Sequence, residues 1–274
     1  MPTLQRCFKY RIRPTPEQEQ QLRQWAGCRR LVWNYFLARR QDTYRETGKT
    51  LSLAAMCREL TLLKRHPDFV FLCECDSQAL QQVLRDLHAA YLHFFEKRAR
   101  FPKRKSRKKT ANAFRIPQRV KPPEGGLVSL PKVGAVRILL HRPLEGVVKS
   151  ATVKQEPSGK WTITFVTHFE APAVATSPPQ SPVGLDAGLE SFVTTSEDEK
   201  TPPPRFYRKQ ERKLKQAQRR HSRKQKGSKN KAKARKQVAV VQAQTCNRRN
   251  DWLHKLSRVL CEPKTISFIF GKLD

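Results

Sequence analysis

Acid is scarce in this chain. Its 274 residues carry 23 Asp and Glu against 56 Lys and Arg, a formal net charge of +33. Such an excess repels itself unless a polyanion is close. Nucleic acid is the first candidate, because Lys and Arg displace counterions from phosphates; an anionic membrane surface is the second. Long apolar runs are missing too: no stretch reaches 18 residues, and the N-terminus has no signal-peptide pattern. The expectation is a soluble, intracellular protein with no membrane partner. The seven cysteines (Cys7, Cys28, Cys57, Cys73, Cys75, Cys246 and Cys261) include no C-x-x-C pair. That speaks against a zinc ribbon and for reduced structural thiols. Core material is modest, with 38% hydrophobic residues, yet the length suffices for two or more domains.

What is present is periodic. In LQRCFKYRIR (4–13) the apolar Phe8, Tyr10 and Ile12 alternate with Lys9, Arg11 and Arg13, which predicts a half-buried strand with a basic outer face. Pro14 and Pro16 end it; Thr15 is placed to cap a helix, with Glu17 near the positive end of its dipole. From 17 to 45 the period is helical: Leu22, Trp25, Leu31, Val32, Tyr35 and Phe36 recur, with Arg29, Arg30, Arg39 and Arg40 between them, and Gly48 closes the segment. Trp25, Trp33 and Tyr35 fall on the apolar stripe, which favours core packing over base stacking. Further helices are expected at 52–64 and 77–98, the latter with Leu80, Val83, Leu84, Leu87, Tyr91 and Phe94 on one side. Three helices make a small bundle.

In KRARFPKRKSRKK (97–109) nine of thirteen residues are basic. It reads as a solvated linker or as a phosphate-tracking segment carrying Lys103, Arg104 and Lys105. From 114 to 170 the period becomes two, with strands at 127–130, 133–140, 147–154 and 161–169; Trp161, Ile163, Phe165, Thr167 and Phe169 share a face. This is an antiparallel sheet or small barrel that strand 4–13 joins, so the helices are an insertion between its strands. APAVATSPPQSP (171–182) reads as a linker.

VGLDAGLESF (183–192) then sets Asp186 between two glycines after an apolar run. Asp186 is a turn residue, part of a sugar-kinase or actin-like phosphate site, or the first carboxylate of a metal-dependent nuclease; the phosphate site would need further Gly-rich loops, and none occurs. A short strand is expected at 192–195 and a turn at 196–200. Residues 205–236 hold sixteen Lys and Arg, with Glu211 the one acid. Helical patterning at 206–224, a break at KGSKN (226–230), and a helix to 260 with a Val238, Val241, Thr245, Trp252, Leu256 seam predict a basic helical hairpin. Arg219, Arg220, Arg223, Lys224, Lys229 and Lys231, with Arg11, Arg13, Arg29 and Arg30, are the candidates for backbone contact, which positions nucleic acid without reading sequence. His254 reads as a packing or polar anchor, not a metal ligand.

Together these stretches resemble the TnpB/OrfB family of transposon-encoded proteins. The carriers are YRIRPTPEQEQQLRQWAGCRRLVWN, LPKVGAVRILLHRPLEGVVKSATV with KWTITF, and GLDAGL followed by RKLKQAQRRHSRKQKGSKNKAKAR and DWLHKLSR. The resemblance covers about residues 4 to 260 and implies an α+β multidomain fold. A β-barrel wedge domain (1–14 plus 110–172) is split by a helical recognition bundle with a basic tail (15–109). A linker (173–182) leads to an incomplete RNase-H-like (RuvC) domain (183–274) bearing the basic hairpin. The resemblance also implies a transposon-derived guide RNA, double-stranded DNA as target, Mg²⁺-dependent cleavage, and a cytoplasmic, nucleoid-associated place in a bacterium or archaeon. Older descriptions of the family speak of transposases with an N-terminal helix-turn-helix. Oligomeric state is not implied.

An RNase-H-like nuclease uses two divalent ions roughly 3.5–4 Å apart, and Mg²⁺ takes carboxylate oxygens. The family supplies an Asp on the first strand, a Glu after a later strand and a further Asp, with a zinc ribbon between the last two. Asp186 matches the first and is the expected catalytic and Mg²⁺-binding carboxylate by descent, with Gly184 and Gly188 allowing close approach. TISFIF (265–270) matches the later strand, but the Glu position falls near Phe270, Asp274 comes late, and the zinc ribbon and last Asp have no counterpart. The expectation is a truncated family member that binds guide RNA and DNA with cleavage lost and no zinc. The alternatives are an active Mg²⁺-dependent endonuclease, a transposition accessory protein, and a non-functional fragment. Ile-Phe-Gly-Lys-Leu read one base over can give Ser-Leu-Glu-Asn-Leu, so a frameshift accounts for the ending; sequencing onward in the gene tests it.

Overall fold

Alternation in the sequence becomes register in strand β1 (Thr3–Arg13). Phe8, Tyr10 and Ile12 are buried while Lys9, Arg11 and Arg13 are exposed. A computed structural model describes residues 3–170 and 184–261, and the chain divides into two units, Met1–Pro172 and Ala173–Asp274.

In the first unit β1 is central. It pairs antiparallel with β6 (Trp161–Glu170) along nearly its whole length and with β4 (Gly134–Leu139) at Arg11–Arg13. With β2 (Ala113–Ile116), β3 (Leu127–Leu130) and β5 (Val147–Gln155) this gives an antiparallel sheet of order β2-β5-β6-β1-β4-β3. The expected barrel appears as a half-barrel sheet: among the described residues its end strands β2 and β3 do not pair with each other. Trp161, Ile163, Phe165 and Thr167 face inward as expected, and Phe169 is half-buried beneath the Arg6 guanidinium. One glycine before β5 is obligatory. Gly146 has φ +79°, and a Cβ there would stand 2.6 Å from the His168 carbonyl oxygen.

Between β1 and β2 comes the helical insertion. Helix α1 (Pro16–Thr47) opens with a capping box: Thr15 Oγ1 accepts from the Gln18 N–H, and the Gln18 side chain accepts from the Thr15 N–H. It closes at Gly48, φ +67°. Its first turns are stitched to the sheet. Gln18 Nε2 donates to Ala135 O at 2.8 Å and Gln21 Nε2 to Lys132 O at 2.9 Å. Glu19 Oε1 accepts from Trp161 Nε1 and Gln155 Nε2, both at 3.1 Å. Helices α2 (Leu53–Leu63) and α3 (Ser77–Phe95) are capped by Ser52 and Asp76, and a 3₁₀ helix, Pro67–Glu74, lies between them. Sheet and helices share one apolar core running from Phe8 through Phe36 and Leu84 to Phe165. Trp25 and Trp33 are buried in it and Tyr35 is half-buried against it, the packing role their spacing favoured.

In the second unit β7 (Leu185–Asp186), β8 (Val193–Thr195) and β9 (Lys200–Thr201) form a small antiparallel sheet. Helices α4 (Phe206–Ser222) and α5 (Lys229–Cys261) form the hairpin, with Gly227 at φ +88° in its turn. Ala217 and Val241 are buried in the seam, and Val238, Thr245, Trp252 and Leu256 are half-buried along α5. The linker 173–182 and the strand expected at 265–270 lie outside the described residues, as do Phe270 and Asp274. No helix among the described residues is long and apolar enough to cross a membrane.

Candidate nucleic-acid interface

The basic run 97–109 is held by α1. Trp33 Nε1 donates to Lys103 O at 3.0 Å, and the Asn34 amide grips Lys105 from both sides, donating to its carbonyl at 2.9 Å and accepting from its N–H at 2.8 Å. Pro102 is buried beside this latch. The run is thus a strap and not a free linker. Three of its backbone groups are met by two adjacent side chains of α1, while the Lys103 and Arg104 side chains are exposed.

Lys105 goes the other way. It is half-buried with its ammonium over the Trp33 ring, and burial, aided by repulsion from Arg29 and opposed by Asp86, pushes its pKa down to about 8. Lys105, expected from the sequence to face phosphate, thus stands half-buried against the Trp33 ring. Arg29 is also engaged: it donates to Ala113 O at 2.7 Å and lies 3.5 Å from the Asp86 carboxylate. Arg30 donates to Asn112 Oδ1 at 2.8 Å, and burial together with Arg107 and Arg29 holds its pKa below the usual arginine value. These two arginines clip α1 to the segment entering β2. Arg11 and Arg13 project from the outer face of β1, exposed.

In the second unit the cations gather on the hairpin. Between α4 and α5 runs a groove of about 620 Å³ lined by Lys213, Arg220, Lys224 and Lys233 around the buried Ala217 and Val241. Arg219, Arg223 and Lys229 are exposed nearby. Lys231 is partly tied down, its Nζ donating to Lys224 O at 3.0 Å. Glu211, the one acid of the run, is matched by Lys215 at 3.0 Å and Arg208 at 3.5 Å, and Lys215 holds its carboxyl below the ordinary glutamate range. The rest of the positive field has no internal counter-charge in the run and is available to a polyanion.

Asp186 sits on β7 opposite Thr194, exposed. The strand is closed by Ser196 N donating to Gly184 O at 2.9 Å. Trp252 of α5 packs edge-on to Phe192 at 4.9 Å and near Phe206 at 6.3 Å, which positions this small sheet against the hairpin. A Cβ at Gly184 would make only ordinary contact, whereas one at Gly188 would come 3.1 Å from Ser191 O. An Asp carboxylate is the donor type Mg²⁺ takes, but no group of three His, Cys, Asp or Glu side chains comes together among the described residues. The described residues do not fit a two-ion site on their own. The six described cysteines are free thiols, Cys28 and Cys75 being buried in the core; His254 is exposed.

Sequence reasoning misses Arg40. Its pattern groups Arg40 with Arg39 as a spacer between apolar positions, yet Arg39 is exposed and meets Glu59 at 3.1 Å while Arg40 is buried. The signal is present: Arg40 follows Trp33 by seven residues and Phe36 by four, on the core-facing stripe.

Residues 1–49 match a family described as a helix-turn-helix domain of OrfB proteins, and residues 152–264 match the OrfB family described as "Probable transposase". Within 1–49 the structure has one strand and one uninterrupted helix, not two helices about a turn. The chain is 38% identical over 271 residues to a protein of Streptomyces pristinaespiralis named "Putative RNA-guided DNA endonuclease", covering 97% of this chain and 67% of that one. It is 38% identical over 252 residues to "Putative RNA-guided DNA endonuclease InsQ" of Escherichia coli, covering 92% and 62%. The chain thus spans about two thirds of the length of these relatives. A solved structure, the cryo-EM structure of a Cas12f1–sgRNA–target DNA complex, aligns over 97% of this chain and 73% of that one with a TM-score of 0.35 at 10% identity.

Proposed function

From the premise that this chain belongs to the TnpB/OrfB family of transposon-associated RNA-guided DNA endonucleases, we propose that it binds an RNA derived from a transposon end together with double-stranded DNA. The observation that carries this is the hairpin. Sixteen Lys and Arg stand against one acid over 205–236, with four of them lining the groove between its helices. Phosphate backbones are the ligand such a groove suits. The strap 97–109, fixed along α1, offers a second cationic track.

The small sheet β7–β9 with its hairpin is read as the start of an RNase-H-like domain. Asp186 is read as its first metal carboxylate, with Mg²⁺ the ion its oxygens suit. The cations of the hairpin and the strap support binding, and binding without cleavage is the proposed activity of this chain. The test mixes purified protein with transposon-end RNA, Mg²⁺ and a plasmid carrying the matching target. RNA-dependent retention of the plasmid without strand breaks supports the proposal. Strand breaks that vanish in Asp186→Ala overturn its second half and favour the active-endonuclease reading; failure to retain RNA overturns the whole.

A further inference from the structure

The C-terminal ends of α1 and α3 flank a half-open cavity of about 440 Å³ lined by Arg40, Tyr44, Tyr91, Phe94, Phe95 and Phe101 among others. Arg40 is only 4% exposed. Its Cζ lies 4.0 Å from the Tyr91 ring centroid, and its Nη2 donates to Thr50 Oγ1 at 2.7 Å. Its Nε and Nη1 have no hydrogen-bond partner, and neither has the buried hydroxyl of Tyr91. A desolvated guanidinium is normally set against a carboxylate. None of the residues lining this cavity is acidic.

Around the unmatched cation stand rings open to solvent. Tyr44, Phe95 and Phe101 are 62%, 64% and 40% exposed. Clustered exposed aromatics mark a binding surface, and a nucleobase is the partner that combines a flat face for rings with acceptor atoms for a guanidinium. Phe101 supplies a link to the charge. It belongs to the basic strap and packs edge-on against Tyr91, at 5.5 Å and 84°, and Phe94, at 5.2 Å and 88°. The segment richest in phosphate-binding cations therefore also forms one wall of the aromatic cavity, whose volume falls in the ~300–1,000 Å³ range of small-molecule sites.

We propose that this cavity takes one unstacked nucleotide of a single-stranded nucleic acid, its base against Tyr44, Phe95 and Phe101 and beside the unmatched guanidinium of Arg40. This rests on the nucleic-acid reading above and adds a place where a single strand is told from a duplex, whose stacked bases cannot enter.

The test titrates the full chain with labelled oligo(U), oligo(dT) and a DNA duplex of matching length, and repeats this with the double variant Tyr44→Ala/Phe95→Ala and with Arg40→Met. Both rings of the double variant are exposed, so its melting temperature should match wild type. Loss of base stacking should weaken single-strand binding roughly tenfold and leave duplex binding and the salt slope unchanged, since every phosphate-binding cation is retained. Arg40→Met should weaken the single-strand arms without lowering the melting temperature. Comparison of oligo(U) with oligo(dT) tells whether the strand is RNA or DNA. If wild type binds and the variants bind equally well, or lose single strand and duplex alike, this inference falls and the broader function stands. Unchanged nucleic-acid binding would turn attention to a partner protein. Wild type that binds none of the three probes would overturn both.

Discussion

The ammonium of Lys105 lies 3.1 Å from the centroid of the Trp33 indole ring. One lysine of a segment dense in cations is thus withdrawn from solvent. The ring favours its charged form by about 0.5–2 kcal/mol, while burial, the larger influence, lowers its pKa to about 8. An unfolded lysine titrates near ~10.4. Between about pH 8 and about pH 10 the unfolded chain therefore binds more protons than the folded one, so stability rises with pH across that window. Below about pH 8 both states are protonated and the slope vanishes. Denaturant midpoints of wild type relative to Lys105→Met should climb across the same window, from about pH 8 to about pH 10. A flat difference would mean the ammonium is hydrated after all.

Trp33→Phe keeps an aromatic ring but removes the indole N–H that Lys103 O accepts, and part of a buried ring with it. The loss should be about 1–3 kcal/mol of global stability, with a larger local effect. Tryptic cutting within 97–109 should accelerate relative to cutting within α1, as followed by mass spectrometry of timed digests. Equal protection in the two proteins would show that the strap does not depend on the Trp33 donor.

Glu19 offers one oxygen to Trp161 Nε1, Gln155 Nε2 and Arg23. Trp161 is buried, so Glu19→Ala should strand its donor and cost about 1–3 kcal/mol in urea unfolding. Glu19→Gln keeps an acceptor oxygen and should recover part of that loss. Identical midpoints for Ala and Gln would assign the effect to packing.

On the hairpin, replacing Arg219, Arg220, Arg223 and Lys224 by Ala should leave stability within about 0.5 kcal/mol, because all four side chains are exposed. The slope of log K against log salt for duplex DNA should shrink by about 0.9 for each phosphate that no longer meets a cation. An unaltered slope would place the polyanion elsewhere on the protein.

Period carried most of the fold. β1, β3, β5, β6 and the long helices follow alternation or a helical stripe, and Thr15 and Gly48 mark α1 within two residues of its expected ends. Short elements escaped: β2 has only AFRI before Pro117 to announce it, and the 3₁₀ helix Pro67–Glu74 has no amphipathic period to show. Closure of the sheet was equally invisible, since alternation fixes faces and not which strands become edges. For the interface, charge density located the strap and the hairpin. It could not say that Lys105 turns inward or that Arg29 and Arg30 are engaged, because their partners, Trp33, Ala113 O and Asn112, lie far along the chain. Arg40 was hidden by its residue type: an arginine on an apolar stripe is assumed to face water.

Helix α1 has 32 residues, about 48 Å at ~1.5 Å per residue. Its first turns are fastened to the sheet through Gln18, Glu19 and Gln21, and its last turns carry Arg40 and Tyr44. Arg29 and Arg30 pin its middle to the segment entering β2, and its buried face runs from Leu22 to Arg40. Such a rod is a strut: it holds the aromatic end at a set distance from the sheet, so a nucleic acid that touches both must match that spacing.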